Sequence, residues 1–395
     1  MIRILVPLLA ILLSACATVP PPPPHQSYAW ARFDGEGIVA SDAAGMADPG
    51  AMRPLTIDDS VRIASISKLV VALGVMRLTE QGELDLDGDV SQWLGWSMRN
   101  PVFPDRPITL RQLLSHRSSL RDDIDYALPL GADLRTALAD PRAWDHEHPP
   151  GTFFRYANLG FPVVATVMEK ATGERFDLLM ERLVLGPLGL DACFNWPSCS
   201  PKAVARAVVL RAPDGTILRD DLGGRQPPCP VVPAADGSCD WRSYRPGTNG
   251  ALFSPQGGLR ISVRDLTVIG RLLLNGGVHE GERFLSEASI RAMLTPEWQH
   301  DGTNGETERS FYCSYGLAVQ LLARPGCPDD LFGDGTRAVG HAGDAYSLKS
   351  GLWIDPASRT GIAYFVTGIA DDAPRGRTAY RTIEEWLART ARRGR

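Results

Sequence analysis

Residues 62–78, RIASISKLVVALGVMRL, constrain this chain more than any other stretch. From Ile66 to Leu78 apolar residues point nearly all round a helical wheel, which predicts a helix buried on every side. Yet Ser65 and Lys68 stand three apart in its first turn, on one face and within reach of each other. An amine at the mouth of a core helix needs a reason. The chain holds 41 basic residues, of which only Lys68, Lys170, Lys202 and Lys349 are lysines. A sequence that favours arginine this strongly spends a lysine at 68, and arginine differs from lysine in that it cannot deprotonate. A first-turn lysine snorkelling to water is the plainer reading. No other lysine here has a serine three positions before it.

The N-terminus reads as an address. MIRILVPLLAILLSAC has a cationic start at Arg3, an apolar run from Ile4 to Leu13, then small residues and a cysteine. This is the pattern of a secretory signal, too short to span a bilayer as a mature helix. LSAC resembles a lipobox, which implies cleavage before Cys16 and lipid attachment there, with a plain signal peptide as the alternative. Pro20–Pro24 is a stiff extended tether. Ala17, by resemblance to sorted lipoproteins, points to the periplasmic face of the outer membrane. Six further cysteines, Cys193, Cys199, Cys229, Cys239, Cys313 and Cys327, fall into three close pairs in loop-like sequence. Fifteen connectivities are open to them, and the clustering favours local bridges in an oxidising compartment. No histidine or C-x-x-C spacing nearby suits zinc.

Helical patterns occupy 66–81, 110–115, 159–172, 263–274 and 380–392, and strand-like runs lie around 37–40, at 350–354 and at 362–366. Strands at both ends of the chain with helices between predict an α/β (α+β) domain. One sheet is completed by both termini, and the middle supplies a helical subdomain. Residues 200–250, rich in Gly, Pro and Asp, read as loops over that core. The expected organisation is a signal peptide over 1–15, a lipidated cysteine and tether over 16–27, and one domain over 28–395. The net charge of −5 is mild and no basic patch stands out, so nucleic acid is not an expected partner.

S-x-x-K is the nucleophile motif of the penicillin-recognising serine hydrolases. DDSVRIASISKL resembles the approach to the active serine in the class C β-lactamase and serine DD-peptidase family, which also has esterase members. PITLRQLLSHRSSL resembles that family's next helix and loop, and PPGTFFRYANLGF carries a Y-x-N element as Tyr156-Ala157-Asn158. GALFSPQGGLRISVRDLTVIGRLLLNGG resembles a later helix entry, and GHAGDAYSLKSGLWIDP supplies a third element as His341-Ala342-Gly343. The resemblance covers Ile38 to the C-terminus. It implies a β-lactamase/DD-peptidase-like fold, a central antiparallel sheet flanked by helices with a helical subdomain.

It also implies roles. Ser65 is the nucleophile, and a desolvated Lys68 with Tyr156 moves its proton. Asn158 bonds Lys68 and the substrate, and His341 on an edge strand faces the substrate beside Gly343. The N–H groups of Ser65 and Asp344 stabilise the oxyanion. Taken alone, Asn158 reads as a helix cap and the small residues near 342 as a close strand–helix approach. Three departures stand out. His341 replaces a frequent lysine. Asp344 follows the glycine where a small residue is common, and its carboxylate should repel an anionic penicillin or D-alanyl terminus unless Lys349 or Arg337 neutralises it. SHRSSL replaces a pattern ending in Gly-Leu. His116 is assigned to packing, and His146 and His148 to a solvated loop.

The expectation is therefore an envelope lipoprotein hydrolysing an ester or amide through an acyl-enzyme, as an esterase or D-amino-acid peptidase before a β-lactamase. The substrate is a small molecule or peptide, with peptidoglycan a candidate. No cofactor or metal is needed. The alternative is a lipoprotein that binds peptidoglycan or traps penicillin without turnover.

Overall fold

The computed structural model describes residues 26–393. The signal-like segment, Cys16 and Pro20–Pro24 lie outside the described residues. Eight antiparallel strands form one sheet: β1 (Tyr28–Asp34), β2 (Ile38–Ala44), β3 (Trp298–Gln299), β4 (Ser314–Tyr315), β5 (Gln320–Leu321), β6 (Val339–Ala345), β7 (Leu348–Asp355) and β8 (Thr360–Val366). Their spatial order is β3-β4-β5-β6-β7-β8-β1-β2, so strands from both ends of the chain meet at the β8–β1 pair. The sheet is completed by both termini, as the pattern of the sequence implied.

Helix α1 (Ile66–Glu80) and helix α3 (Val263–Leu274) pack on one face of this sheet, and α4 (Thr382–Arg393) on the other. Both faces are covered, which is why β7 reads as a continuous buried run. The apolar residues of α1 touch the sheet on one side. On the other they meet α2 (Gly160–Thr172) and the helical segment at 176–185, where Gly74 lies against Met168 and Met180. Every residue of α1 from Ile66 to Met76 is buried.

β1 is not legible as a strand in the sequence. YAWARFD mixes aromatic and charged residues, and its aromatics divide between faces, Tyr28 and Trp30 toward α4 and Phe33 toward α3. β2 begins where the sequence places a strand and runs four residues further, to Ala44. The segment 200–250 is mainly irregular, broken by a short helix at Pro201–Ala205, a single 3₁₀ turn at Trp241–Ser243 and a small hairpin. The cysteines form the three local bridges, Cys193–Cys199, Cys229–Cys239 and Cys313–Cys327.

Candidate active site

The strand Val61–Arg62 pairs with Leu259–Ile261 and leads directly to α1. Between them Ala64 takes φ +58°, a left-handed conformation that a residue with a Cβ adopts only under constraint. The Ser67 hydroxyl supplies that constraint. It donates to the Ala64 carbonyl (2.7 Å) and accepts from the Leu259 N–H (3.0 Å). The turn delivers Ser65 to the helix N-terminus with its side chain on a cavity of about 560 Å³. Its own N–H belongs to the first turn, whose donors have no intrahelical partner.

Lys68 is fully buried one turn on. Its Nζ donates to Ser65 Oγ (3.0 Å), Asn158 Oδ1 (2.8 Å) and the Gln256 carbonyl (2.7 Å). Burial lowers its pKa to about 7, against a smaller upward pull from the Asp122 carboxylate. Asp122 is not in contact with the amine. It accepts from Asn158 Nδ2 (2.9 Å) and from the N–H groups of Asn158 (2.8 Å) and Leu159 (2.9 Å), which fixes Asn158 with Oδ1 toward Lys68. A hydroxyl 3.0 Å from an amine whose pKa is brought to about 7 is the arrangement that a nucleophile and its base require.

Tyr156 lies over this pair, with Lys68 Nζ 5.0 Å from the centre of its ring. Its hydroxyl is buried and makes no hydrogen bond of normal geometry, although it faces Ser65 and Tyr312. Burial raises its pKa, so the phenol stays protonated.

β6 brings the third element. Gly343 has ordinary φ but no room for a Cβ, which would fall 2.4 Å from the Ile63 carbonyl and 2.2 Å from Ser350 Oγ. Ser350 in turn donates to Ile63 O (2.8 Å), so β6 and β7 dock on the segment entering α1. The N–H of Ala342 points away from β7, to Gln320 Oε1. By the alternation of a strand the N–H of Asp344 points the same way. β5 pairs only with Val339 and Gly340, so the strand is internal at that end and open from His341 onward. The Asp344 N–H thus projects from an open edge beside Ser65. Asp344 itself is neutralised by an ion pair with Lys349, its direct cross-strand partner.

His341 is the clearest correction. It is buried and turned from the cavity, with Nε2 2.7 Å from Tyr315 Oη and Nδ1 2.5 Å from the Ala342 carbonyl. Tyr315 also meets His116 Nε2 (3.2 Å), whose Nδ1 accepts from the Ala157 N–H (3.1 Å). His116 therefore does more than pack. Burial and the charge of Lys68 depress both imidazoles, His341 to about 3. In SHRSSL, Ser119 takes φ +62°, which explains why a glycine is usual there. The loop keeps its shape through Asn100, whose Nδ2 donates to Ser119 Oγ (2.6 Å). His148 is not merely solvated: it pairs with Asp145 and stacks on Phe153.

Sequence reasoning misses Asp122, Gln256, Glu308 and Tyr315. Asp122 stands in RDDID, three acidic residues within four positions, with nothing to single it out. Gln256 acts through its backbone, and Tyr315 is brought in from a two-residue strand. Glu308 lines the cavity, and burial, followed by the neighbouring carboxylates Glu306, Asp122 and Asp344, raises it to about 7.

The Beta-lactamase family model matches residues 25–385. The chain is 31% identical over 204 residues to Esterase EstB of Burkholderia gladioli, covering 47% of this chain and 50% of that protein. It is 28% identical over 261 residues to Penicillin-binding protein 4 of Amycolatopsis lactamdurans, covering 65% and 62%. The matches thus span between half and three-fifths of those relatives' lengths. The solved D-amino acid amidase of Ochrobactrum anthropi SV3, in complex with D-phenylalanine, superposes with TM-score 0.64 over 93% of each chain at 20% identity, which shows a common fold.

Proposed function

The chain belongs to the Beta-lactamase family, and from that premise we propose that it hydrolyses an ester or amide through an acyl-Ser65 intermediate. Its relatives are serine hydrolases: esterases, peptidases and β-lactamases. The observation that carries the reading is the Lys68 amine, buried, brought to about 7 and donating to Ser65 Oγ at 3.0 Å.

The chemistry follows from the placement. Neutral Lys68 takes the hydroxyl proton as Ser65 Oγ attacks the carbonyl carbon. The N–H groups of Ser65 and Asp344 bind the oxyanion that forms. Protonated Tyr156 is placed to donate to the departing oxygen or nitrogen; the Lys68 ammonium returns the serine proton to the phenolate, and the neutral amine so regenerated activates the water that releases the acyl group.

An ester or an aminoacyl amide suits the cavity better than a penicillin. Glu308 is a carboxylate without an ion-pair partner among the described residues and Lys349 is committed to Asp344; the other cations lining the cavity are Arg62, bonded to the neutral Asn195, Arg381, bonded to backbone carbonyls of Asp371 and Ala373, and Arg375. A substrate carboxylate would add another negative charge at this mouth. Attachment to the periplasmic face of a bacterial membrane through Cys16 belongs to the same proposal. It is supported by the lipobox-like LSAC, the proline tether and the three disulfides.

The test is hydrolysis of a short-chain nitrophenyl ester by a soluble form beginning at Gln26 and by its Ser65→Ala variant. Activity in the first and about a 10³-fold loss in the second is the expected result. No activity in either folded protein favours a non-turnover binding protein, and equal activity in both removes Ser65 as the nucleophile. Benzylpenicillin hydrolysed as efficiently as the ester would remove the substrate preference.

A further inference from the structure

The buried row His116–Tyr315–His341 takes no part in the acyl-transfer steps, yet its two ends are the two catalytic elements. Ala157, at one end, lies between Tyr156 and Asn158; Ala342, at the other, precedes Gly343 and Asp344. Its protons can be placed by elimination. The Ala157 N–H can only donate, so His116 Nδ1 carries no proton and the single proton of the neutral ring is on Nε2. That N–H donates to Tyr315 Oη at 3.2 Å. The Ala342 carbonyl can only accept, so His341 Nδ1 carries the proton and Nε2 is bare. The Tyr315 O–H then donates to His341 Nε2 at 2.7 Å.

Every bond of the chain thus runs one way, from the Ala157 N–H to the Ala342 carbonyl. An added proton on His116 Nδ1 would set donor against donor at the Ala157 N–H, and one on His341 Nε2 would make Tyr315 accept from both rings and leave its own O–H without that partner. The groups around the row offer it no counter-charge: Lys68 is the cation acting on both rings, and Tyr156, Phe154 and Phe161 pack on His116. A histidine so held cannot serve as general acid or base, but it can hold two backbones at a fixed separation.

We propose that Tyr315 is a positioning residue, which through His116 and His341 fixes the strand bearing the Asp344 N–H relative to Tyr156 and Asn158.

Tyr315→Phe in the full chain keeps the ring and removes the hydroxyl that both imidazoles share. Misplacing an oxyanion donor costs rate rather than binding, so kcat for the nitrophenyl ester should fall about tenfold to hundredfold while KM stays within about threefold. The unfolding midpoint should drop by only a few degrees. In ¹⁵N-resolved imidazole spectra of the unsubstituted protein at pH 5, His116 should appear as the neutral Nε2–H tautomer and His341 as the neutral Nδ1–H tautomer. An imidazolium or the opposite tautomer at either position overturns the proposal. So does a Tyr315→Phe enzyme with kcat within twofold of the parent, or one whose whole loss lies in KM. The kinetic comparison rests on the hydrolase reading. The tautomers do not, so a protein without esterase activity still decides the matter.

Discussion

Two buried polar clusters pack against the ring of Tyr156, and they follow opposite rules. Toward the cavity, Lys68 is a cation whose three hydrogen-bond partners are neutral oxygens, with the nearest influential carboxylate, Asp122, one residue removed. Behind the ring, His116, Tyr315 and His341 are uncharged, and each imidazole nitrogen has a partner. Both are desolvated. Burial alone therefore does not make an ionisable group active. Incomplete charge compensation poises Lys68 near neutrality, and complete pairing silences the histidines.

Removing the charge is the hardest test of this contrast. The folded pKa of Lys68, about 7, lies below its ordinary value of 10.5. Between those two values the unfolded chain binds more protons, so this group makes stability rise with pH across that window, and below about pH 7 the fold bears the cost in full. Lys68→Met should lower ester hydrolysis by about 10³-fold or more, because no base remains beside Ser65. At pH 6 the same variant should melt a few degrees higher than the parent, since a buried amine without a counter-ion has been replaced by an apolar chain. Lys68→Arg should be as inactive and no more stable. A Lys68→Met protein that melts lower at pH 6 would show the amine to be as well compensated as the histidines.

The pH profile comes next in size. kcat/KM should rise about tenfold per pH unit up to about 7 and then level, leaving the enzyme about 100-fold slower at pH 5. His341, at about 3, and His116, lower than usual, should leave no inflection between pH 5 and 7. Glu308, raised to about 7 at the same cavity, is removed by measuring the profile in a Glu308→Gln background, where a second ionisation in that range would break the contrast. Asp122→Asn should cost about tenfold to hundredfold, because an amide oxygen cannot replace a carboxylate that accepts three N–H bonds. Asp122 holds the Lys68 pKa up, so the acid limb should move to lower pH in that variant. An upward move would mean that Asn158 alone tunes the amine.

What is legible in the sequence divides along the same line. Ser65 and Lys68 can be read because helical spacing fixes their relation locally, and a lysine in an all-apolar helix has little use there except to exchange a proton. α3 can be read to the residue because its apolar face repeats with helical period and Ser262 caps it. The row behind Tyr156 cannot be read. His116 is 199 positions from Tyr315, and Tyr315 is 26 from His341, so only the sheet brings them together. For His341 the sequence indicates the right strand and the wrong direction. The period of two assigns successive side chains to opposite faces but does not say which face is the cavity. Asp344 is recognisable as an unusual charge, and its partner Lys349 is one of two candidates, because hairpin register needs the turn at Tyr346–Ser347 to be known.

That ion pair provides the smallest test. Asp344 is 67% exposed and Lys349 only 7%, so the lysine is held from beneath while the carboxylate stands in the mouth of the cavity. An exposed pair of this kind contributes little to stability, but it decides the charge beside the Asp344 N–H, the donor proposed for the oxyanion. Lys349→Met leaves the carboxylate unbalanced at that point. Hydrolysis of a neutral nitrophenyl ester should fall about threefold to tenfold, an ester with an anionic acyl chain should lose more, and added salt should narrow the gap between them. Asp344→Asn in the Lys349→Met background should restore the neutral ester toward the parent rate, since the unbalanced charge is gone and the backbone N–H is kept. A double variant no better than Lys349→Met would assign the lysine to the packing of β7 rather than to the charge of the site.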